Sequence, residues 1–363
     1  MAGEPVKRKI AAILLITTMT ALCAGCTESA YNKYSFEFFG TFDTVVQVMG
    51  YAKTEGEFQK YADQAYARFN ELNKLFDIYN DYEGIANIKT INDNAGKEPV
   101  EVSQEIINLI LFAKQQYAAT SDNVNIAMGP VLEIWHEYRE SGMKDINHAQ
   151  LPPMEDLKKA AQYTDIDKVI VDDEKNTVFL EDENMRLDVG AIAKGFATEI
   201  VADELESAGL VSALISSGGN VRAIGEPLDD RLRWGVGIQD PFKAIDGSQD
   251  VLLDIVFVTD MSVVSSGDYQ RYYTVGGERI HHLIDPDTLM PASYFSAVTV
   301  MTEDSGWADF LSTAVFLMPY DEGRPFIESL DGVEALWVFP DGSIEATENM
   351  KSVMKILGGA SSR

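Results

Sequence analysis

Asp309 and Thr313 stand four residues apart in a run, Gly306 to Phe316, that reads as helix, so a carboxylate and a hydroxyl share one helix face. With water and a backbone carbonyl they make a hard oxygen donor set, which suits Mg²⁺. An amphipathic helix with an aspartate near its start would show the same spacing. A second cluster is Leu187-Asp188-Val189-Gly190-Ala191-Ile192-Ala193-Lys194-Gly195. A strand is expected to end near Asp188 and a helix to open after Gly190. Small residues there let backbone approach a ligand, a helix N-terminus favours phosphate, and Lys194 adds a full positive charge. The spacing is neither a Walker loop nor a dinucleotide fingerprint, and a plain strand-to-helix turn has the same composition. In Ser216-Ser217-Gly218-Gly219-Asn220, paired glycines follow a buried strand. They suit either close backbone contact with a flat or anionic ligand or a hairpin turn.

The fourth cluster runs from Val264 to Pro286 and holds His281 and His282, two of only four histidines in the chain. On a strand the two point to opposite faces, so one can face a site while the other faces core or solvent. Zinc is disfavoured, because both cysteines lie near the N-terminus and His136 and His148 are distant in sequence.

The elements that must position these groups are mixed. Phe58, Tyr61, Ala65, Phe69, Leu72 and Phe76 recur at helical spacing over Glu57 to Leu75. Ser103 is placed to cap a helix through Ala119, and Ala191 to Ser207 reads as a helix stopped by Gly209. Val169–Val171 and Thr177–Leu180 read as a hairpin. Ala213 to Ser216, Trp234 to Ile238, Val251 to Val258 and Ala297 to Met301 read as strands, and Leu336 to Phe339 opens a late hairpin. Helices and strands interleave without strict alternation, which predicts an α+β fold in one domain over residues 36–358. The chain has 363 residues, is 46% hydrophobic and carries a formal charge of −29, so it can bury a core but repels nucleic-acid phosphates. An enzyme this acidic needs a local cation to hold an anionic substrate.

The N-terminus reads as a processing segment. Lys7, Arg8 and Lys9 precede an apolar run from Ile10 to Leu22, short for a membrane span, and then Cys23-Ala24-Gly25-Cys26. Small residues before a cysteine resemble a bacterial lipobox. Residues 1–25 are then a lipoprotein signal peptide, Cys26 the lipidated residue, and residues 26–35 a tether. The chain has two cysteines; cleavage removes one and lipidation consumes the other.

Taken in order, these motifs resemble the ApbE family, the FAD:protein FMN transferases once described as thiamine-biosynthesis lipoproteins, over roughly Phe36 to Leu317. The resemblance is carried by Phe39-Gly40-Thr41, by Asn125 to Pro130 read as a strand end, and by Asp188 to Gly195. Ser217 to Asn220, Ser266 to Tyr269, His282 to Pro286 and Ala308 to Ala314 complete it. It implies Mg²⁺ on Asp309, Thr313 and the Ala191 carbonyl with Ser312 close by, and FAD as substrate on Asp188 and Lys194. Phe39, Asn123, Val124, Asn125 and Ile284 are implied to line the flavin or adenosine pocket, with Gly218 and Gly219 approaching the ligand. His282 is the expected base, with a pH–rate limb near the ordinary histidine pKa, and Asp285 is the next candidate. The implied acceptor is a Thr or Ser hydroxyl of a membrane redox-complex subunit. The sequence departs from the family pattern at Asn125 (usually Asp), at Phe39 (usually Met) and at Leu289-Met290 (usually a glycine). An FAD pyrophosphatase giving FMN and AMP, or a flavin-binding lipoprotein without catalysis, would use overlapping residues; a solute-binding lipoprotein would need two similar lobes, which the pattern lacks.

The anchor is open to a direct check. Cys26→Ser should release the protein from membranes or leave the precursor uncleaved; unchanged retention with normal processing would remove the lipoprotein reading.

Overall fold

Eight strands form one sheet: β1 (Asn32–Thr41), β2 (Thr44–Ala52), β3 (Ala213–Ser217), β4 (Asn220–Ile224), β5 (Ser262–Gly267), β6 (Ala297–Thr302), β7 (Glu334–Val338) and β8 (Ile344–Ala346). They lie side by side in chain order, and every neighbouring pair is antiparallel. The computed structural model describes residues 31–246 and 251–363, so the signal segment, Cys26 and the tether as far as residue 30 lie outside the described residues, while residues 32–35, expected as tether, belong to β1. No helix among the described residues is long and apolar enough to cross a membrane.

Two of the strand connections are tight. β1 and β2 are joined through Phe42 and Asp43, at φ 51° and 53°, and β3 and β4 through Gly218 and Gly219, at φ 56° and 98°. Left-handed geometry at both central residues matches the twist of the strands that such a turn joins. The paired glycines are therefore the hairpin turn. The remaining chain enters as insertions between strands. Between β2 and β3 come α1 (Glu55–Phe76), α2 (Gln104–Ala119), α3 (Gly129–Lys144) and α4 (Ala193–Ser207); between β6 and β7 comes α5 (Ser305–Phe316).

One face of the sheet is covered by helices. Phe58, Ala62, Phe69 and Leu72 of α1 join Val201 and Leu205 of α4 and Phe310, Leu311 and Val315 of α5 in the main core, against Val46, Val48, Val264 and Val300 of the sheet. Each large side chain buried there contributes roughly 1.5–3 kcal/mol. The other face is covered by a two-stranded unit, Trp234–Gln239 with Leu252–Val258. Its Trp234, Val236 and Ile238 pack on Val263, Met301 and Leu336. With both faces covered, all six residues of β6 are buried, the threonines Thr299 and Thr302 included.

The α+β expectation holds, and the helices and strands read from sequence are present within a few residues. Three local expectations do not hold. No strand precedes Asp188: the chain from Arg186 to Val189 is extended but unpaired in any ladder. A side chain replaces the missing ladder. Asn92 Nδ2 donates to the Leu187 carbonyl at 3.0 Å, and Asn92 Oδ1 accepts from Leu187 N–H at 2.7 Å. Asp188 N–H then donates to the Ile126 carbonyl at 2.8 Å. Second, the segment from Asn125 is not a strand end but a 3-10 turn, Ile126–Met128, running into α3. Third, Ser103 sits at the start of α2, yet its hydroxyl makes no capping hydrogen bond.

The Asn92 bridge is testable. Asn92→Ala leaves the buried Leu187 amide and carbonyl without partners, which should cost on the order of 1–3 kcal/mol in a urea titration. A loss near zero would mean that the Leu187 segment is held by something else.

Candidate functional site

The fold brings α4 and α5 into direct contact through a glycine. A Cβ on Gly195 would overlap the Ser305 carbonyl oxygen and the Asp309 Cβ. Without one, Gly195 N–H donates to Asp309 Oδ2 at 2.8 Å. Lys194 Nζ lies 3.8 Å from the same oxygen, and Asn220 from the β3–β4 hairpin is close to the carboxylate. Asp309 is buried, 3% exposed. Burial raises its pKa, opposed first by Lys194 and then by the Gly195 amide. A carboxylate that is buried and only partly compensated has room for a further cation.

Asp309 opens into a cavity of about 1060 Å³, large enough for a dinucleotide-sized ligand. The cavity brings together most of the residues named from sequence: Asn123, Val124, Asn125, Asp188, Ala191, Lys194, Gly218, His282, Ile284, Asp309 and Thr313 all line it. Four do not reach it. Phe39 is 73% exposed on β1, just before the bulge at Gly40, and it is Gly40 that lines the cavity. Gly219 occupies the outer position of its turn. Ser312 is fully buried and donates to the Asp309 carbonyl at 3.0 Å. Asp285 spends its carboxylate on its own turn, where Oδ1 accepts from Asp287 N–H at 2.8 Å and Thr288 N–H at 3.0 Å.

The two histidines differ in environment, although only His281 lies on a strand and His282 is the first residue beyond it. His281 ends the strand Glu278–His281, is buried, lies 2.7 Å from the Ala292 carbonyl through Nε2, and meets Phe316 edge-on. His282 faces the cavity. Its Nδ1 is 3.2 Å from the Arg271 carbonyl, an acceptor only, so Nδ1 carries the proton and Nε2 is left with its lone pair. Burial, then the positive charges of Arg271, His281 and Lys194, push the His282 pKa down to about 3. The shift favours the neutral imidazole before substrate binds, and it moves the expected limb of the free protein below the ordinary histidine value.

Sequence reasoning missed one wall. Tyr79, His136, Arg139 and Arg271 line the cavity opposite α5. Tyr79 packs over His136, ring centroids 5.0 Å apart, and Arg139 Nη2 donates to His136 Nδ1 at 2.7 Å. Asp188 faces this wall. Burial raises its pKa, opposed by the Gly190 N–H, 2.8 Å from its Oδ1, and by Arg271, His136 and Arg139. Lys89, Arg139, Arg186, Lys194 and Arg271 line the cavity together with Asp43, Asp77, Asp93, Glu133, Glu137, Asp188 and Asp309, so it offers cations to anionic groups and carboxylates to a metal. The signal in the sequence was a histidine and an arginine three apart on α3, which places them on one helix face.

The departures from the family pattern have local causes. Asn125 Oδ1 accepts from Ala127 N–H at 2.8 Å, and its Nδ2 donates to the Thr164 carbonyl at 2.8 Å. An aspartate could make the first bond but not the second. Leu289 keeps a left-handed backbone, φ 59°, where glycine is unstrained; its buried side chain and the bond from Trp135 Nε1 to its carbonyl, 3.0 Å, offset the strain.

The ApbE family model matches residues 42–337. The FAD:protein FMN transferase of Treponema pallidum (strain Nichols) is 32% identical over 283 residues, covering 74% of this chain and 75% of that protein. The FAD:protein FMN transferase of Klebsiella pneumoniae (strain 342) is 30% identical over 273 residues, covering 73% of this chain and 81% of that protein. Among solved structures, the ApbE protein of Thermotoga maritima superposes with a TM-score of 0.76 at 28% identity, over 89% of this chain and 99% of that one.

The division of labour between the histidines predicts an asymmetry in stability. His281→Ala should lower the thermal midpoint by several degrees, as loss of about 1–3 kcal/mol does when a buried carbonyl loses its partner. His282→Ala should melt close to wild type. Equal destabilisation would show that His282, too, is a packing residue.

Proposed function

The chain belongs to the ApbE family, and from that premise we propose that it is an FAD:protein FMN transferase that moves the FMN half of FAD onto a Thr or Ser hydroxyl of a partner protein, releasing AMP. The observation that carries this reading is the convergence of Asp188, Lys194, His282, Asp309 and Thr313, from three separate stretches of sequence, on one cavity.

In this reading the acceptor hydroxyl attacks the phosphorus on the FMN side of the pyrophosphate, and AMP is the leaving group. Such transfer depends on positioning and on neutralising charge. Lys194 and Arg271 supply positive charge where the pyrophosphate would lie. Asp309 and Thr313, with the Ala191 carbonyl, would hold Mg²⁺: the donors are hard oxygens, and the buried Asp309 carboxylate is under-compensated without a cation. When bound, the metal supplies charge neutralisation on the phosphates and the leaving group. No cluster of three or more His, Cys, Asp or Glu side chains exists among the described residues, so the site would rest on one carboxylate, a hydroxyl and a carbonyl.

His282 would take the acceptor proton through Nε2, oriented by the Nδ1–H bond to Arg271. At a pKa of about 3 it is a weak base in the free protein. Two phosphate charges beside Arg271 and Lys194 would raise it by offsetting the cations that depress it. Asp285, bound into its turn, is not needed for this step. We further place the enzyme at a membrane through lipid on Cys26, with a membrane redox subunit as acceptor; the lipobox-like segment supports both.

The test is mass spectrometry of a candidate acceptor domain after incubation with FAD and Mg²⁺. Wild type should add one FMN to a Thr or Ser; free FMN and AMP with an unmodified acceptor would instead indicate hydrolysis. Asp309→Ala should abolish transfer, and His282→Ala should slow it about 10²–10⁴-fold while binding FAD almost normally. Because the His282 pKa is lowered in the free enzyme, kcat/KM should show no limb near pH 6.5 that disappears in His282→Ala. Such a limb may be sought in kcat, which reports the substrate complex. A histidine limb in kcat/KM would contradict the depressed pKa.

A further inference from the structure

Ser266, on β5, is a buried hydroxyl that touches two hydroxyls of α5: Ser312 Oγ at 2.8 Å and Thr313 Oγ1 at 3.4 Å. The polarity of this chain of hydroxyls follows from where it ends. Ser312 Oγ is 3.0 Å from the Asp309 backbone carbonyl, which can only accept, so Ser312 donates there. Each hydroxyl has one proton. Ser312 has spent its own, so in the 2.8 Å contact Ser266 is the donor and Ser312 the acceptor. Ser266 has then spent its proton as well, and in the 3.4 Å contact Thr313 is the donor. Thr313 is the last member of the chain; it lines the cavity, as Ser266 does at its buried edge, while Ser312 does not.

We propose that Ser266 is a positioning residue: it draws the Thr313 hydroxyl proton inward, so that Thr313 Oγ1 presents lone pairs to the cavity and is set as an acceptor for a divalent cation. A free threonine hydroxyl can rotate and point its proton at a ligand, which would repel a cation. The chain removes that freedom in advance. It also gives Ser312 a task other than ligation: its hydroxyl is committed at both ends and faces away from the cavity, yet it fixes the direction of the whole chain. Ser266 matters in this way only if a cation is held by Asp309 and Thr313, as proposed above.

The experiment is Mn²⁺ titrated into the full-length protein, with free Mn²⁺ followed by electron paramagnetic resonance and with thermal midpoints recorded for every variant. Wild type should bind Mn²⁺ saturably, and Ser266→Ala should weaken binding roughly three- to tenfold, the worth of one buried hydrogen bond. Thr313→Val should weaken it further, and adding Ser266→Ala to Thr313→Val should change nothing more, because Ser266 acts through Thr313. Ser266→Cys keeps a donor of similar size and should recover part of the loss; it also stands in if Ser266→Ala does not fold. Unchanged affinity in a folded Ser266→Ala, or the same loss repeated in the Thr313→Val background, overturns the role of Ser266. Absence of saturable Mn²⁺ binding by wild type is a different result, one that removes the cation site itself.

Discussion

The hydrogen bond from Gly195 N–H to the Asp309 carboxylate is the contact on which the rest depends. It exists because residue 195 has no side chain: any Cβ there would collide with the start of α5. Through it, the helix that carries Lys194 and the helix that carries Asp309 and Thr313 are locked at backbone distance. Glu199, one turn beyond Gly195, strengthens the junction by accepting from Ser305 N–H at 2.6 Å and pairing with Arg222 of β4 at 3.3 Å. The sheet beneath supplies rigidity. A site placed on two abutting helices over a sheet buried on both faces is held more tightly than one built on loops.

Charge gives the cavity its character. The chain as a whole is strongly acidic, yet Lys194, Arg139 and Arg271 converge inside, and the carboxylates among them, Asp188 and Asp309, are pushed by burial toward the neutral form. The interior is thus arranged for a ligand that brings negative charge and for a cation that satisfies Asp309. His282 shows the same balance from the other side: burial first, and then the cations near it, lower its pKa. In the proposed reaction, substrate charge and the basicity of His282 would be coupled, because phosphates would offset the cations that depress its pKa.

Much of this was legible in the sequence because the chemistry sits on regular elements. The i, i+4 spacing of Asp309 and Thr313 fixes their shared face wherever a helix forms, while the different surroundings of His281 and His282 come from the strand ending between them. What was not legible depends on contacts across the chain. The segment before Asp188 looks like a strand by composition, but its backbone is satisfied by the side chain of Asn92, 95 residues away, which no periodicity reveals. Phe39 points outward because it alternates with the inward Phe36 and Phe38 on β1, and Asp285 is consumed by its own turn. Ser266 was visible as part of a motif, but its role depends on which hydroxyls of α5 it meets.

The central claim is that Asp309 and Thr313 hold a cation beside the substrate phosphates in this one cavity. A crystal of the Asp309-intact, His282→Ala protein soaked with FAD and Mn²⁺, with anomalous scattering from the metal, tests it most directly. The account predicts a single strong peak bonded to the Asp309 carboxylate and to Thr313 Oγ1, with the pyrophosphate at Lys194. FAD bound in the cavity with no metal peak at Asp309, or a metal peak away from Asp309 and Thr313, would contradict it.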